Sequence, residues 1–205
     1  MATKLNIINL AFSHLGEPVV RELGGDPAPP NVVKALAQWD QALETALAVA
    51  PWLCALESPR MDADYLTPAQ AAKDWRYSHR FTCPAGTVKV WAVQGAFAWQ
   101  AGTATDQQGV TIRVIRANHP GPILADLVMM RPPEALTPLL ADALSWELAS
   151  RLAGPIQSNE DKGRWARDQA VTKYALAASS EASEIGNQDE LIPPGPLALA
   201  RRSAP

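Results

Sequence analysis

The spacing of leucines between residues 136 and 152 is the feature that most constrains the fold of this chain. Five of them recur there at intervals of four: Leu136, Leu140, Leu144, Leu148 and Leu152. This spacing places them along one face of an α-helix, and such a face has to be buried against another element. Pro133 suits the start of a helix, and "AGP" at 153–155 suits its end. The pattern predicts a helix over about residues 134–153.

Two helices are predicted in the first quarter of the chain, over about residues 3–15 and 31–50. Leu5, Ile8, Phe12 and Leu15 form the apolar stripe of the first. Thr3 is predicted to cap its N-terminus and Gly16 its C-terminus. Asn31 is predicted to cap the second helix, which Pro51 ends, because the residue before a proline disfavours the helical conformation.

A fourth helix is predicted over about residues 159–185. Ser158 is the predicted N-cap, with Asp161 three residues later in the manner of a capping box. The seam predicted to be buried consists of five residues: Val171, Tyr174, Ala178, Ala182 and Ile185. The helix is rich in alanine, so a neighbouring helix can approach it closely.

Between the second and third helices the apolar period changes from that of a helix to that of a strand. "TVKVWAV" (87–93) and "GVTIRVIR" (109–116) alternate and are rich in β-branched residues, which is typical of strands. In the second, Val110, Ile112 and Val114 are predicted to face inward, and Thr111 and Arg113 outward. With 96–102 as a further candidate, we expect a small antiparallel sheet of three or four strands within about residues 76–125.

The order of elements predicts an α+β fold: a four-helix bundle core with a small antiparallel β-sheet inserted between helices 2 and 3. Residues 1–186 are expected to form a single domain. Residues 187–205 contain four prolines and one glycine, which interrupt the apolar runs, so we expect an extended C-terminal arm.

Composition excludes several classes of protein. The net charge of −3 over 205 residues argues against a dedicated nucleic-acid binder. The two cysteines, Cys54 and Cys83, form no metal-type pair and are expected to be reduced thiols. No leader pattern or membrane-spanning run is recognised, which predicts synthesis in a cytoplasm and no membrane partner.

No catalytic, cofactor-binding or metal-binding motif is found in the sequence. Phosphate-binding loops, GxGxxG and GxSxG are all missing, and His14, His79 and His119 are each solitary. We therefore predict no cofactor and no enzyme activity. A glycan hydrolase stays open as an alternative, because it needs only two carboxylates, such as Glu181 with Glu184.

A small DNA-binding module is the other alternative that stays open. "WRYSHRF" (75–81) mixes cations with aromatic residues and could also be a strand that packs in the sheet. Together with the strand at 109–116 it supplies a possible basic patch: Arg76, Arg80, Arg113 and Arg116.

The opening "INLAFSHLGEPVVRELGGD", followed by a long helix and "PW", resembles the head-to-tail adaptor family of tailed phages, which includes the tail tubular protein A of short-tailed phages. The residues that carry this resemblance are Leu10, Leu15, Gly16, Glu17, Pro18 and Trp52. The similarity continues through "RPPEALTPLLADALSWELASRLAGPIQSNEDKGRWARDQAVTKYALAASSEASE" and the ending "IPPGPLALARR".

The resemblance implies a structural virion protein at the head–tail junction, synthesised in the host cytoplasm. About twelve copies would form a ring between the capsid portal and the tail nozzle or tube, and double-stranded DNA would pass through the channel without sequence recognition. The C-terminal arm would contact the portal through six residues: Leu191, Ile192, Leu197, Leu199, Arg201 and Arg202. The four arginines named above would face the tail or the DNA.

Overall fold

The computed structural model describes residues 2–64, 76–106 and 108–184. The helices are α1 (Lys4–Leu15), α2 (Pro30–Val49), α3 (Pro138–Gln157) and α4 (Glu160–Glu184), with a 3₁₀ turn at Pro133–Ala135. The strands are β1 (Leu56–Glu57), β2 (Arg60–Met61), β3 (His79–Thr82), β4 (Thr87–Val93), β5 (Trp99–Thr105), β6 (Thr111–Ala117) and β7 (Ile123–Met129). None of the described helices combines the length and the apolar character needed to cross a membrane.

Helix α3 lies at the centre of the helical body, and α1, α2 and α4 each pack against it. The leucine stripe predicted from the sequence forms this core: Leu140, Leu144, Leu148 and Leu152 are fully buried. Burial of side chains of this size stabilises the fold by about 1.5–3 kcal/mol each. The stripe is thus the physical reason that three helices assemble around α3.

The residues that follow α1 connect three helices through side-chain hydrogen bonds. Thr3 caps α1 by accepting a hydrogen bond from the Asn6 N–H at 3.2 Å, and Gly16 ends it at φ 74°, as predicted. The Glu17 carboxylate then accepts hydrogen bonds from the side-chain amides of Asn31 at 3.1 Å and Gln157 at 2.8 Å. Glu17 therefore connects the start of α2 to the end of α3.

Strand β7 is the centre of the first antiparallel sheet. Strands β1 and β2 pair in succession with one of its edges, and β4 pairs with the other. The second sheet has the order β3–β6–β5 and is also antiparallel. Alternate residues of β7 face different layers: Leu127 packs between the two sheets, while Val128 packs with the helices.

The predicted fold class, a four-helix bundle core with one small sheet, is wrong. The described chain contains two antiparallel sheets that enclose a second hydrophobic core, which includes Phe81, Ile115, Ile123 and Leu127. The prediction failed because "ILADLVM" (123–129) is apolar on both faces. Leu124 and Val128 make the second face apolar in sequence, so no alternation can be detected, although Val128 packs with the helices and Leu124 is 43% exposed.

Three predicted helix boundaries also need correction. Helix α3 begins at Pro138 and continues through Pro155 to Gln157, where Ser158 ends it in the left-handed conformation at φ 51°. Ser158 is therefore a C-cap, and Asn159 caps α4 by accepting from the Lys162 N–H at 2.9 Å. Helix α2 begins at Pro30, so Asn31 lies inside it.

The buried seam of α4 differs from the predicted one. The side chains that face the core are Ala166, Ala170, Tyr174, Ala177 and Glu181. Of the predicted seam, Tyr174 is buried, whereas Val171 is 62% exposed and Ala182 is exposed; Ile185 lies outside the described residues. The helix has alanines on several faces, so the sequence offers little contrast between them.

The facing of the strand at 109–116 was also predicted incorrectly in part. In β6 the side that faces the other sheet carries Ile115 and Ala117, and the alternation places Arg113 on that same side. Val110 is 56% exposed near the turn that precedes β6. In β4 a register shift between Val90 and Ala92 restores Val93 to the buried side.

Candidate functional site

Helix α4 carries the largest group of exposed apolar side chains on one described element. Val171 is 62% exposed, Leu176 is 52% exposed and Trp165 is 48% exposed. We call these three residues the α4 face. Trp165 and Leu176 lie on one flank of the buried seam, and Val171, five residues before Leu176, is rotated by about 140° to the other flank. Isolated apolar residues are normal on a surface, but several along one helix indicate a contact surface.

The C-terminal half of the α4 face is free of exposed charge. Between residues 175 and 183 the only charged residue is Glu181, which is 6% exposed and points into the core. Ala175, Leu176 and Ala182 are exposed over the same length. A surface helix that stays monomeric normally carries charge on its outer face. This part of α4 has the composition of a surface that another element covers.

Ring contacts between His14, Trp146 and Trp165 hold the N-terminal end of the α4 face in place. The His14 ring stacks on Trp146 with centroids 3.6 Å apart, and Trp146 meets Trp165 edge to face at 5.0 Å. The His14 Nε2 is 3.0 Å from the Ser145 hydroxyl. Burial lowers the pKa of His14, an effect that Asp142 opposes. The imidazole is therefore neutral at pH 7 and serves as a packing surface.

Two buried carboxylates of the helical body have structural partners. Glu181 accepts hydrogen bonds from the Leu53 N–H at 2.6 Å and from the Thr137 hydroxyl at 3.1 Å. Glu147 forms an ion pair with Arg151 at 2.8 Å. Glu184, the second carboxylate of the hydrolase alternative, is exposed at the end of α4. Because Glu181 is held in the core, it is not placed opposite Glu184 across a substrate groove.

Of the four arginines predicted to form a patch, the structure keeps two adjacent and places Arg113 on the other side of the sheet. Arg80 and Arg116 are register neighbours on β3 and β6, and Arg80 forms an ion pair with Asp64 at 2.7 Å. Arg116 donates to the Thr103 carbonyl at 2.9 Å. Arg113 belongs to the opposite side of the sheet. The carbonyl of Arg76 accepts from Asn118 at 3.4 Å, beside the start of β3.

The predicted portal-contact residues of the C-terminal arm lie outside the described residues. In the described ranges 2–64, 76–106 and 108–184, no group of three or more His, Cys, Asp or Glu side chains could hold a metal ion. Cys54 and Cys83 are free thiols, and burial raises the pKa of each. Neither is therefore a thiolate at neutral pH.

Sequence reasoning missed the α4 face, although a signal was present. Two of its three residues, Trp165 and Leu176, recur at the spacing of a helical row, beside a separate row of alanines that faces the core. Two rows of this kind on one helix indicate two contacts.

No protein-family model matches this chain, and no curated protein matches it either.

Proposed function

We propose that this chain is a structural subunit of a phage virion: a head-to-tail adaptor that joins copies of itself into a ring between the portal and the tail. The observation that carries the proposal is the α4 face. It exposes Val171, Leu176 and Trp165 along a helix whose outer surface is uncharged from residue 175 to residue 183. The resemblance of the sequence to the adaptor family supports the same conclusion.

A closed ring requires two different, complementary surfaces on each subunit, since the contact between neighbours is heterologous. The α4 face is one candidate for these surfaces. The α4 face belongs to the helical body, whereas the sheets adjoin that body through α2, which packs on β4 and β7. The sheets are therefore available for other contacts. The ring would comprise about twelve copies, as the resemblance implies.

The remaining contacts of the proposal follow the resemblance. The C-terminal arm would bind the portal, and the other end of the ring would receive the tail nozzle or tube. Double-stranded DNA would pass through the channel without sequence recognition. Of the arginines expected to face the tail or the DNA, Arg80 and Arg116 are the pair that the fold keeps adjacent. The complete assembly would lie at the head–tail junction of the virion.

The α4 face is tested by Leu176→Arg together with Val171→Arg. Both side chains are exposed in the single chain, so the variant should fold normally, but a cation placed in a covered apolar contact is strongly unfavourable. Val19→Arg is the matched control, because Val19 is also 62% exposed but lies in the connection between α1 and α2. The readout is negative-stain electron microscopy of each protein mixed with portal rings.

We expect rings stacked on the portal with wild-type chain and with Val19→Arg, and their loss with the double variant. Rings that form equally well with the double variant would contradict the role of the α4 face. Absence of any ring or portal complex with wild-type chain would contradict the adaptor proposal itself.

The arm is tested by deleting residues 191–205. We expect the truncated chain to keep its fold, because the prolines that interrupt the apolar runs of this segment disfavour a core element there, and to lose its attachment to portal-bearing heads. Normal attachment of the truncated chain would show that the portal contact lies elsewhere.

A further inference from the structure

A cleft lies beside the turn 83–86, which connects β3 of the second sheet to β4 of the first. It has a volume of about 580 Å³ and is lined by residues of both sheets and of the turn before β4. Four of its lining residues are threonines, Thr82, Thr87, Thr103 and Thr111, and apolar walls come from Pro84 and Ile112. The cleft is therefore a concave, mixed surface of the kind that holds small groups.

Arg113 lines this cleft, and its position in the sheet explains why. Along β6 the residues that face the other sheet are Arg113, Ile115 and Ala117, in register with Thr103, Ala101 and Trp99 of β5. Ile115 and Ala117 are fully buried in the core between the sheets. Arg113 is the next residue on that side, so its half-buried side chain lies where the core opens to the cleft.

Within the described residues, the Arg113 guanidinium has no carboxylate partner. The neighbouring arginines differ: Arg80 is paired with Asp64, and Arg116 binds the Thr103 carbonyl. The adjacent thiol does not compensate the charge, because burial raises the pKa of Cys83 to about 11 even though Arg113 opposes the shift. A guanidinium that is partly removed from water without an anion is unfavourable, and a bound anion would relieve this.

We propose that the cleft is a binding site for a carboxylate on a short apolar stem, held by the Arg113 guanidinium. A carboxylate matches the planar fork of one guanidinium with two parallel hydrogen bonds. The apolar walls would pack against the stem, and the threonine hydroxyls would border it. A phosphate fits less well, since its higher charge calls for more than one cation and Arg113 is the single cation that lines the cleft among the described residues. The carboxylate can belong to a free small acid or to an Asp or Glu side chain of a partner protein.

The test is a titration of the full ¹³C,¹⁵N-labelled chain, followed by NMR at constant ionic strength. The probes are isobutyrate, its neutral isostere isobutyramide, and inorganic phosphate. Reporters are the Arg113 side-chain Nε–H, assigned by its loss in Arg113→Lys, and the backbone amides of Cys83 and Thr103. We expect saturable shifts with isobutyrate, at an affinity at least about tenfold above those of isobutyramide and phosphate.

Variants separate the role of Arg113 from a general effect of charge. Arg113→Gln should abolish the amide shifts, and Arg113→Lys, which keeps the charge but loses the fork, should weaken binding several-fold. Arg164→Gln removes an exposed arginine of α4 and should leave binding unchanged. Unchanged chemical shifts of the buried Ile115 and Leu127 methyl groups in each variant would show that the sandwich is intact.

A second pair of probes distinguishes the two sources of the carboxylate. Tighter binding of the blocked peptide Ac-Ala-Ala-Glu-Ala-Ala-NH₂ than of isobutyrate would identify a partner side chain, provided that the Gln peptide does not bind. Binding of isobutyrate alone would identify a free acid. The proposal is overturned if no acid gives a saturable shift, if phosphate or isobutyramide binds as tightly, or if Arg113→Gln binds like wild type.

Discussion

The Glu181 carboxylate should make the largest single polar contribution to the stability of the helical body. It is 6% exposed, and it joins the last turn of α4 to two other segments. One oxygen accepts from the Leu53 N–H, just after α2, at 2.6 Å, and the other from the Thr137 hydroxyl, just before α3, at 3.1 Å. Replacing Glu181 therefore perturbs three helix ends at once.

The magnitude follows from those two hydrogen bonds. A hydrogen bond to a charged group contributes about 1.5–3 kcal/mol, and a buried donor left without a partner costs about 1–3 kcal/mol. Glu181→Ala leaves the Leu53 N–H unpaired, while the Thr137 hydroxyl can rotate toward other acceptors. We therefore expect Glu181→Ala to lower the free energy of unfolding by about 3 kcal/mol. Glu181→Gln can still accept from Leu53 and donate to Thr137, so its effect should be about 1 kcal/mol.

Urea denaturation at pH 7, followed by circular dichroism, measures the effect. With an m-value of about 2 kcal/mol per molar, the midpoint of Glu181→Ala should fall by about 1.5 M. Glu184→Ala is the matched control, since it removes the same charge three residues later on an exposed position. If the two alanine variants unfolded within about 0.5 kcal/mol of each other, the carboxylate would not hold these segments together.

Three further predictions concern local features. Burial lowers the pKa of His14 below 6.5, so the folded state binds its proton less readily than the unfolded chain. The contribution of neutral His14 to the free energy of unfolding is therefore fully present above about pH 6.5 and is lost as the pH falls. The decrease in urea midpoint between pH 7.5 and pH 5.0 should accordingly be smaller for His14→Gln than for wild type. A Cβ on Gly102 would collide with the Arg116 guanidinium and displace it from the Thr103 carbonyl to which it donates. A double-mutant cycle of Gly102→Ala with Arg116→Ala should therefore give a coupling energy of about 1 kcal/mol; additive effects would contradict the contact. Gly16→Ala should lower the free energy of unfolding by about 1 kcal/mol, because φ is 74° there, whereas Gly154→Ala, on the exposed side of a helix with open space around it, should not.

The helices could be predicted from the sequence because their apolar stripes have one consistent phase. The leucine row of α3 is buried as predicted, and the caps Thr3 and Gly16 of α1 are confirmed. The end of α3 was missed because Gly154 and Pro155 are local stop signals. Tertiary contacts extend the helix beyond them: the Lys34 ammonium donates to the Pro155 carbonyl at 2.8 Å. Contacts between residues so distant in sequence leave no local pattern.

The second sheet and the candidate sites depend on pairings that local patterns do not contain. Residues 123–129 show no strand alternation in the sequence because both of their faces carry apolar residues. One face packs between the sheets, whereas on the other Val128 packs with the helices and Leu124 is 43% exposed. Once this strand is placed between the layers, β6 must turn Ile115 toward it, and the two-residue period then turns Arg113 inward as well. The inward arginine, which the sequence alone predicts to face solvent, is thus a consequence of where β7 lies.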